Sequence, residues 1–168
     1  MPSLGRELVE LLPRARRFAW VLTRSHDDAE DVVQAAVERA LRNSHTWERG
    51  TRLDSWLFTI MQNLWRDELR AHRRRAEPLE AAEEMAGEDG REVTMRHIQT
   101  AEASEALADL PEEQRAVVAL IVLEGMSYAE AAQILSVPVG TVMSRLARAR
   151  GRLAATLGDD QPRVRAAK

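Results

Sequence analysis

Apolar residues along the chain recur three and four positions apart, and no window sustains the every-second-residue alternation of a half-buried strand. That pattern predicts helices throughout. Ser3 to Leu12 reads as a first helix, and Pro13 opens a second to about Arg24, since proline is tolerated in a first helical turn. Ser25 and Asp27 then offer N-caps, and Asp28, three residues after Ser25, makes a near capping box. The helix they start extends to about Arg42 on a stripe of Val32, Val33, Ala36, Val37, Ala40 and Leu41. NSHTWERGTR (43–52) is polar and contains a glycine, so it reads as a loop. Asp54 caps a long helix from Ser55 to about Arg75, buried through Leu57, Ile60, Leu64 and Trp56. Three or four helices over residues 1–75 make a first module.

From Ala76 the periodicity stops. AEPLEAAEEMAGEDGRE (76–92) carries seven acids, two glycines and a proline. It buries too little apolar surface to offset the entropy of ordering, so a flexible acidic linker is expected over 76–93. A second module begins near Thr94, with Ala103, Ala106, Leu107 and Leu110 at helical spacing. After Pro111, EEQRAVVALIVLE is a strongly apolar helix stopped by Gly125. SYAE (127–130) is a capping box that starts a short helix, Tyr128 to Leu135. Residues 136–140 turn the chain, and VGTVMSRLARARGRLAATL forms the last helix of a module spanning 94–158. A flexible tail is expected over 159–168. The fold class is therefore all-α, with two small helical domains on a flexible acidic linker.

Charge sharpens this division. Residues 14–75 hold 13 Arg against 9 acids, residues 76–113 hold 12 acids against Arg91 and Arg96, and residues 114–168 hold 8 Lys/Arg against 4 acids. Two basic blocks flank an acidic middle. The pattern suits two nucleic-acid-facing modules on a repelling tether, and it equally suits two helical domains with a solvated spacer. The chain has no cysteine, which excludes disulfides, Cys-ligated zinc and direct thiol sensing. No segment approaches the ~18–20 apolar residues of a membrane span. The first twenty residues hold acids and a proline where a signal peptide has an apolar run, so a cytoplasmic protein without membrane insertion is expected.

The C-terminal pattern carries the chemistry. A short helix, a tight turn, and a helix with small and hydroxyl residues ahead of its arginines make helix-turn-helix spacing. Small side chains at the leading end let the backbone approach a major groove. Thr141, Ser144, Arg145 and Arg148 then reach base edges or phosphates. Ala129 and Ala132 allow the two helices to cross closely. Arg150 lies well around the helix from Arg148 and reads as a solvated charge.

LPEEQRAVVALIVLEGMSYAEAAQILSVPVGTVMSRLARARGRL resembles region 4 of the extracytoplasmic-function (ECF) sigma factors of bacterial RNA polymerase. Independently, DDAEDVVQAAVERAL (27–41) and SWLFTIMQNLWRDELRAHRRR (55–75) resemble region 2 of the same family. The resemblance implies core RNA polymerase as a partner, through its β′ clamp and β flap, and promoter DNA as another. It implies that Asp31, Gln34, Glu38 and Arg39 face the clamp; a solvated amphipathic face explains the same residues without a partner. Asn63, Arg66, Arg70, Arg73 and Arg74 would lie along a −10 surface. The loop 43–52 would receive an extruded base, with Trp47 either as its stacking platform or as a lid on the core. Trp65 falls next to Asn63 on the DNA side, or is buried if the helix is turned. The acidic linker would thread toward the RNA exit path, or act as a solubilising spacer. An anti-sigma factor that covers both domains is the expected regulator. Met143 stands where many relatives carry Lys or another polar residue, which removes one expected phosphate contact.

Catalysis finds no support in these residues. His26, His45, His72 and His97 are scattered without metal-ligand spacing, and no Gly-rich phosphate loop occurs, so no metal or cofactor is expected. Asp27, Asp28, Glu30 and Asp31 cluster where a helix dipole attracts acids. Two rival classes remain. A sigma mimic would sequester an anti-sigma partner, but has no need of Arg66, Arg70, Arg145 and Arg148. A stand-alone helix-turn-helix repressor leaves the first module unexplained.

Overall fold

The computed structural model describes residues 3–76 and 101–157. The expected linker (76–93) lies outside them apart from Ala76, as do the start near Thr94 and the tail. The chain separates into two units, 1–90 and 91–168. Every regular element among the described residues is helical.

The first unit packs α1 (Leu4–Thr23), α2 (His26–Arg42) and α3 (Leu53–Ala76). α1 is one helix where the sequence suggested two, and Pro13 lies inside it. Proline removes one helical hydrogen bond, the one that would reach the Val9 carbonyl. Pro13 and Val9 are both exposed, so water can take that carbonyl. Meanwhile Leu8, Ala15, Phe18, Ala19 and Leu22 form one buried stripe running past the proline. Each large apolar side chain so buried contributes about 1.5–3 kcal/mol, enough to carry the helix through the break.

α2 starts as expected: the Ser25 Oγ accepts from the Asp28 N–H at 3.3 Å. Its inner face is Ala29, Val32, Val33, Ala36 and Ala40, but Leu41 is exposed rather than part of that stripe. Small residues on this face let α2 lie close to its neighbours. After it come a 3-10 turn (Ser44–Thr46) and an irregular loop in which Gly50 takes a φ of +95°.

α3 buries Leu57 as expected, but its inner face turns away from Trp56, Ile60 and Leu64. Leu57, Phe58, Met61 and Trp65 are buried, whereas Trp56, Ile60 and Leu64 are half-buried. Phe58 meets Phe18 of α1 with ring centroids 4.8 Å apart. The Arg14 guanidinium sits 5.7 Å from the centre of the same ring. Arg14 also pairs with Asp54 at 3.0 Å, and Arg52 with Asp54 at 2.8 Å. The helix starts at Leu53, two residues before the expected Ser55, so Asp54 lies in its first turn rather than at its cap; it accepts from the Ser55 N–H (2.8 Å) and ties α3 to α1. Burial alone raises the Asp54 pKa. Hydrogen bonds from Arg52, Ser55 and Arg14 outweigh it and hold the carboxyl below its ordinary value.

The second unit comprises α4 (Ala101–Ala108), α5 (Glu112–Val118), α6 (Tyr128–Leu135) and α7 (Val139–Leu157). Arg115 is buried, and its guanidinium donates to the Leu110 carbonyl at 2.7 Å and the Ala108 carbonyl at 3.4 Å. It thus satisfies carbonyls at the end of α4 that no helical N–H can reach. The apolar run after α5 does not end as a plain α-helix. It widens into a π turn (Ala119–Leu123), closed by the Glu124 N–H on the Ala119 carbonyl at 3.0 Å, before Gly125 at φ +67°. One extra residue per turn thereby fits between α5 and the next cap.

α6 carries the complete capping box: Ser127 N–H to Glu130 Oε2 at 2.7 Å, and Glu130 N–H to Ser127 Oγ at 3.2 Å. Ala131 and Ala132 are its buried small residues, while Ala129 points outward, so the close crossing expected of Ala129 belongs to Ala131. Ser136 closes α6 in the left-handed region at φ 54°. Val137 N–H bonds back to the Ala132 carbonyl at 3.0 Å, turning the chain into α7.

Candidate nucleic-acid and partner surfaces

Three outward faces hold the residues singled out in the sequence. On α2, Asp31, Gln34 and Glu38 are exposed and fall at i, i+3 and i+7, one side of the helix. The Gln34 side chain donates to Glu38 at 3.2 Å. Arg39 is exposed one position further round. Leu41 extends the Asp31–Gln34–Glu38 row and is 49% exposed. Sequence reasoning assigned it to the core. Its place three residues beyond Glu38 was the signal that it shares the polar side.

On α3, Asn63, Arg66, Arg70, Arg73 and Arg74 run along one stripe at three- and four-residue spacing. Arg66 donates to the Asn63 Oδ1 at 2.7 Å, so the pair is pre-set and the Asn63 amide group stays open. Arg70, Arg73 and Arg74 are exposed and, with Asp67, line a shallow surface depression. The reverse side carries a separate cluster in which Arg75 pairs with Glu68 at 3.3 Å. Trp65 does not share the arginine face. It is buried between helices, with its indole N–H unpartnered among the described residues.

Trp47 sits half-buried after the 3-10 turn, its ring 6.4 Å from Trp56 and tilted by 30°. It also borders a surface depression whose walls include Glu7, Glu10, Arg49 and Thr51. Trp47 thus lies against Trp56 on one side and edges an open hollow on the other.

On α7, Val142, Leu146 and Ala149 are buried and fix the rotation of the helix. At 100° per residue the point opposite them falls at Ser144, Ala147, Arg148 and Gly151. Ser144 and Arg148 are exposed; the Ser144 hydroxyl donates to the Thr141 carbonyl at 3.1 Å. Thr141 and Arg145 lie on one flank and are half-buried. Arg145 is paired with Glu113 of α5 at 3.1 Å. Met143, 52% exposed, lies toward the opposite flank, as does the exposed Arg150. Glu113 was not legible as a site residue, because it stands 32 positions from Arg145 in the chain.

Among the described residues no group of three or more His, Asp or Glu is placed to hold a metal ion, and no helix is long and apolar enough to cross a membrane. A three-helix unit with an arginine stripe, followed by a unit whose last two helices form a helix-turn-helix, defines a class of two-part DNA-binding proteins. Comparison with known proteins narrows that class. Residues 8–75 match the family model for sigma-70 region 2, and residues 100–153 that for sigma-70 region 4. The chain is 37% identical over 157 residues to the ECF RNA polymerase sigma factor EcfG of Rhodopseudomonas palustris, covering 92% of this chain and 85% of the relative. It is 38% identical over 143 residues to the ECF sigma factor SigM of Mycobacterium tuberculosis, covering 84% and 70%. The sigma factor RpoE of Bartonella quintana, solved in complex with the anti-sigma factor NepR, superposes with a TM-score of 0.78 at 34% identity, over 92% of this chain and 96% of that one. The chain belongs to the ECF sigma factors of RNA polymerase. Members of this family are non-enzymatic initiation factors that act with core RNA polymerase at promoter DNA.

Proposed function

We propose a division of labour between the two units. The region 2 domain (1–75) docks on the β′ clamp through Asp31, Gln34, Glu38 and Arg39, and captures the unpaired −10 strand with Asn63, Arg66, Arg70, Arg73, Arg74 and Trp47. An acidic linker (76–93) leads to the region 4 domain (94–158), which meets the β flap and sets α7 in the −35 major groove. Thr141, Ser144, Arg145 and Arg148 supply the contacts there, and residues 159–168 form a tail. The observation that carries this reading is the arginine stripe of α3. Four guanidinium groups share one side with Asn63 while the apolar side packs against α1 and α2. Such a face binds phosphate and reads unstacked bases, and binding through it falls steeply with salt.

The same reading makes the protein cytoplasmic and places it under an anti-sigma factor. The latter is supported by the likeness to a sigma factor solved with such a partner. Run-off transcription with purified core enzyme across a genomic promoter library tests the function. Transcripts that require both core and this chain are expected, and their absence overturns it. Arg148→Ala is expected to weaken promoter binding by about 1–3 kcal/mol while core binding is unchanged. Asn63→Ala is expected to impair opening, read as lost permanganate reactivity at −10 thymines, with closed-complex formation intact.

A further inference from the structure

Arg145 and Arg148 are three residues apart on one helix, yet their surroundings differ. Arg148 is exposed and makes no ion pair among the described residues. Arg145 keeps only 18% of its side chain exposed and lies 3.1 Å from the Glu113 carboxylate on α5. Glu113 itself remains 70% exposed. A carboxylate so hydrated is not needed to fill space, and a pair with one partner in solvent is screened and adds only about 0–1 kcal/mol to stability. Its electrostatic effect is larger than its structural one, because it cancels a positive charge beside the centre of the DNA-facing side of α7. Thr141 shares that flank, and a side chain as long as Arg145 can carry its charge from there toward the DNA-facing side.

We infer that Glu113 is an internal competitor for Arg145: it holds the guanidinium against α5 and so lowers the affinity of α7 for the −35 element. This rests on the promoter-binding reading above. For Arg145 to contact DNA it must leave Glu113, and the exchange of one carboxylate for one phosphate leaves little net gain. Removing the competing charge frees the arginine for the phosphate outright. Glu113 is thus a positioning residue acting through Arg145, with no contact of its own to DNA.

The test uses holoenzyme on a promoter duplex recovered from the run-off screen, titrated over a salt series. Glu113→Gln is expected to tighten binding about two- to fivefold, the range an exposed ion pair spans. The slope of log affinity against log salt should steepen by about one phosphate contact. Both changes should vanish in the Glu113→Gln/Arg145→Ala double variant. Asp109→Asn, which removes one negative charge from the same unit at a residue not paired with Arg145, should not reproduce them. Glu113→Ala repeats the result without an amide, and circular dichroism confirms that each variant is folded. A gain that persists without Arg145, or an equal gain from Asp109→Asn, reduces the effect to net charge and overturns the inference. Weaker binding by Glu113→Gln also overturns it, since Glu113 then braces Arg145 for the DNA. Wild-type holoenzyme that binds no promoter overturns the sigma reading itself; normal wild-type binding without a Glu113→Gln gain overturns only the competition.

Discussion

The first helical unit closes around rings, the second around small aliphatic side chains. Phe18, Phe58 and Trp65 are buried in the first, whereas the buried apolar residues of the second are Ala, Val, Leu, Ile and Met alone. Each buried ring covers a large apolar area, so three positions of the first unit carry much of its burial. The second spreads its burial thinly, and this lets α5, α6 and α7 cross closely. It then relies on polar devices, Arg115 and the Ser127–Glu130 box, to fix its turns. Buried rings set the first core apart, and a buried arginine with a complete capping box sets the second apart.

Substitutions can break that comparison. Phe58→Ala removes the ring between Phe18 and Arg14 and should cost about 3–5 kcal/mol, read as the urea midpoint of the variant. A loss smaller than that of Leu146→Ala in the second unit would contradict the contrast. Arg115→Met keeps the apolar stem but leaves the Leu110 carbonyl unpaired, with an expected cost of about 1–3 kcal/mol. Lysine at 115 should recover only part, because a flexible ammonium lacks the fixed planar geometry with which the guanidinium Nη1 reaches both carbonyls. Asp54→Asn should cost about 1.5–3 kcal/mol near neutral pH, the range for hydrogen bonds to a charged group. Because the folded pKa of Asp54 is lowered, its contribution is present above the unfolded value of about 3.9 and is lost as pH falls through the folded value. The variant should lack that acid step in urea midpoints taken from pH 7 to 3. Gly151→Ala has the smallest expected effect. Nothing lies within 4 Å of the added carbon on the exposed side of α7, so stability should rise by about 0.5–1 kcal/mol.

Local chemistry made much of this architecture readable from sequence. The caps at Ser25 and Ser127 and the span of α7 follow from residues within four positions of each other, and the structure bears them out. Where an outcome depended on distant residues, the sequence misled. Pro13 reads as a break, yet the stripe of α1 packs on α2 and α3 and carries the helix past it. In LDSWLFTIMQNLW nearly every side of the helix offers an apolar residue, so periodicity cannot choose between Ile60 and Met61, or decide that Trp65 faces inward. The arginine stripe of α3 was legible because its spacing is local. The Glu113–Arg145 pair was not, since only folding brings α5 against α7.

The far end of α3 has a mechanical consequence. Its last buried residue is Trp65, yet the helix continues about 16 Å further to Ala76, with Leu69 and Ala71 half-buried along the way. Three turns are too short to be stable as a free helix in water, and they are loaded with like charges at Arg70, Arg73 and Arg74. The rod is held by its continuity with the packed half and by the Glu68–Arg75 strut. A polyanion laid along it relieves the repulsion that strains it. On the proposed −10 reading, nucleic acid would be a stiffening agent for this segment as well as its target.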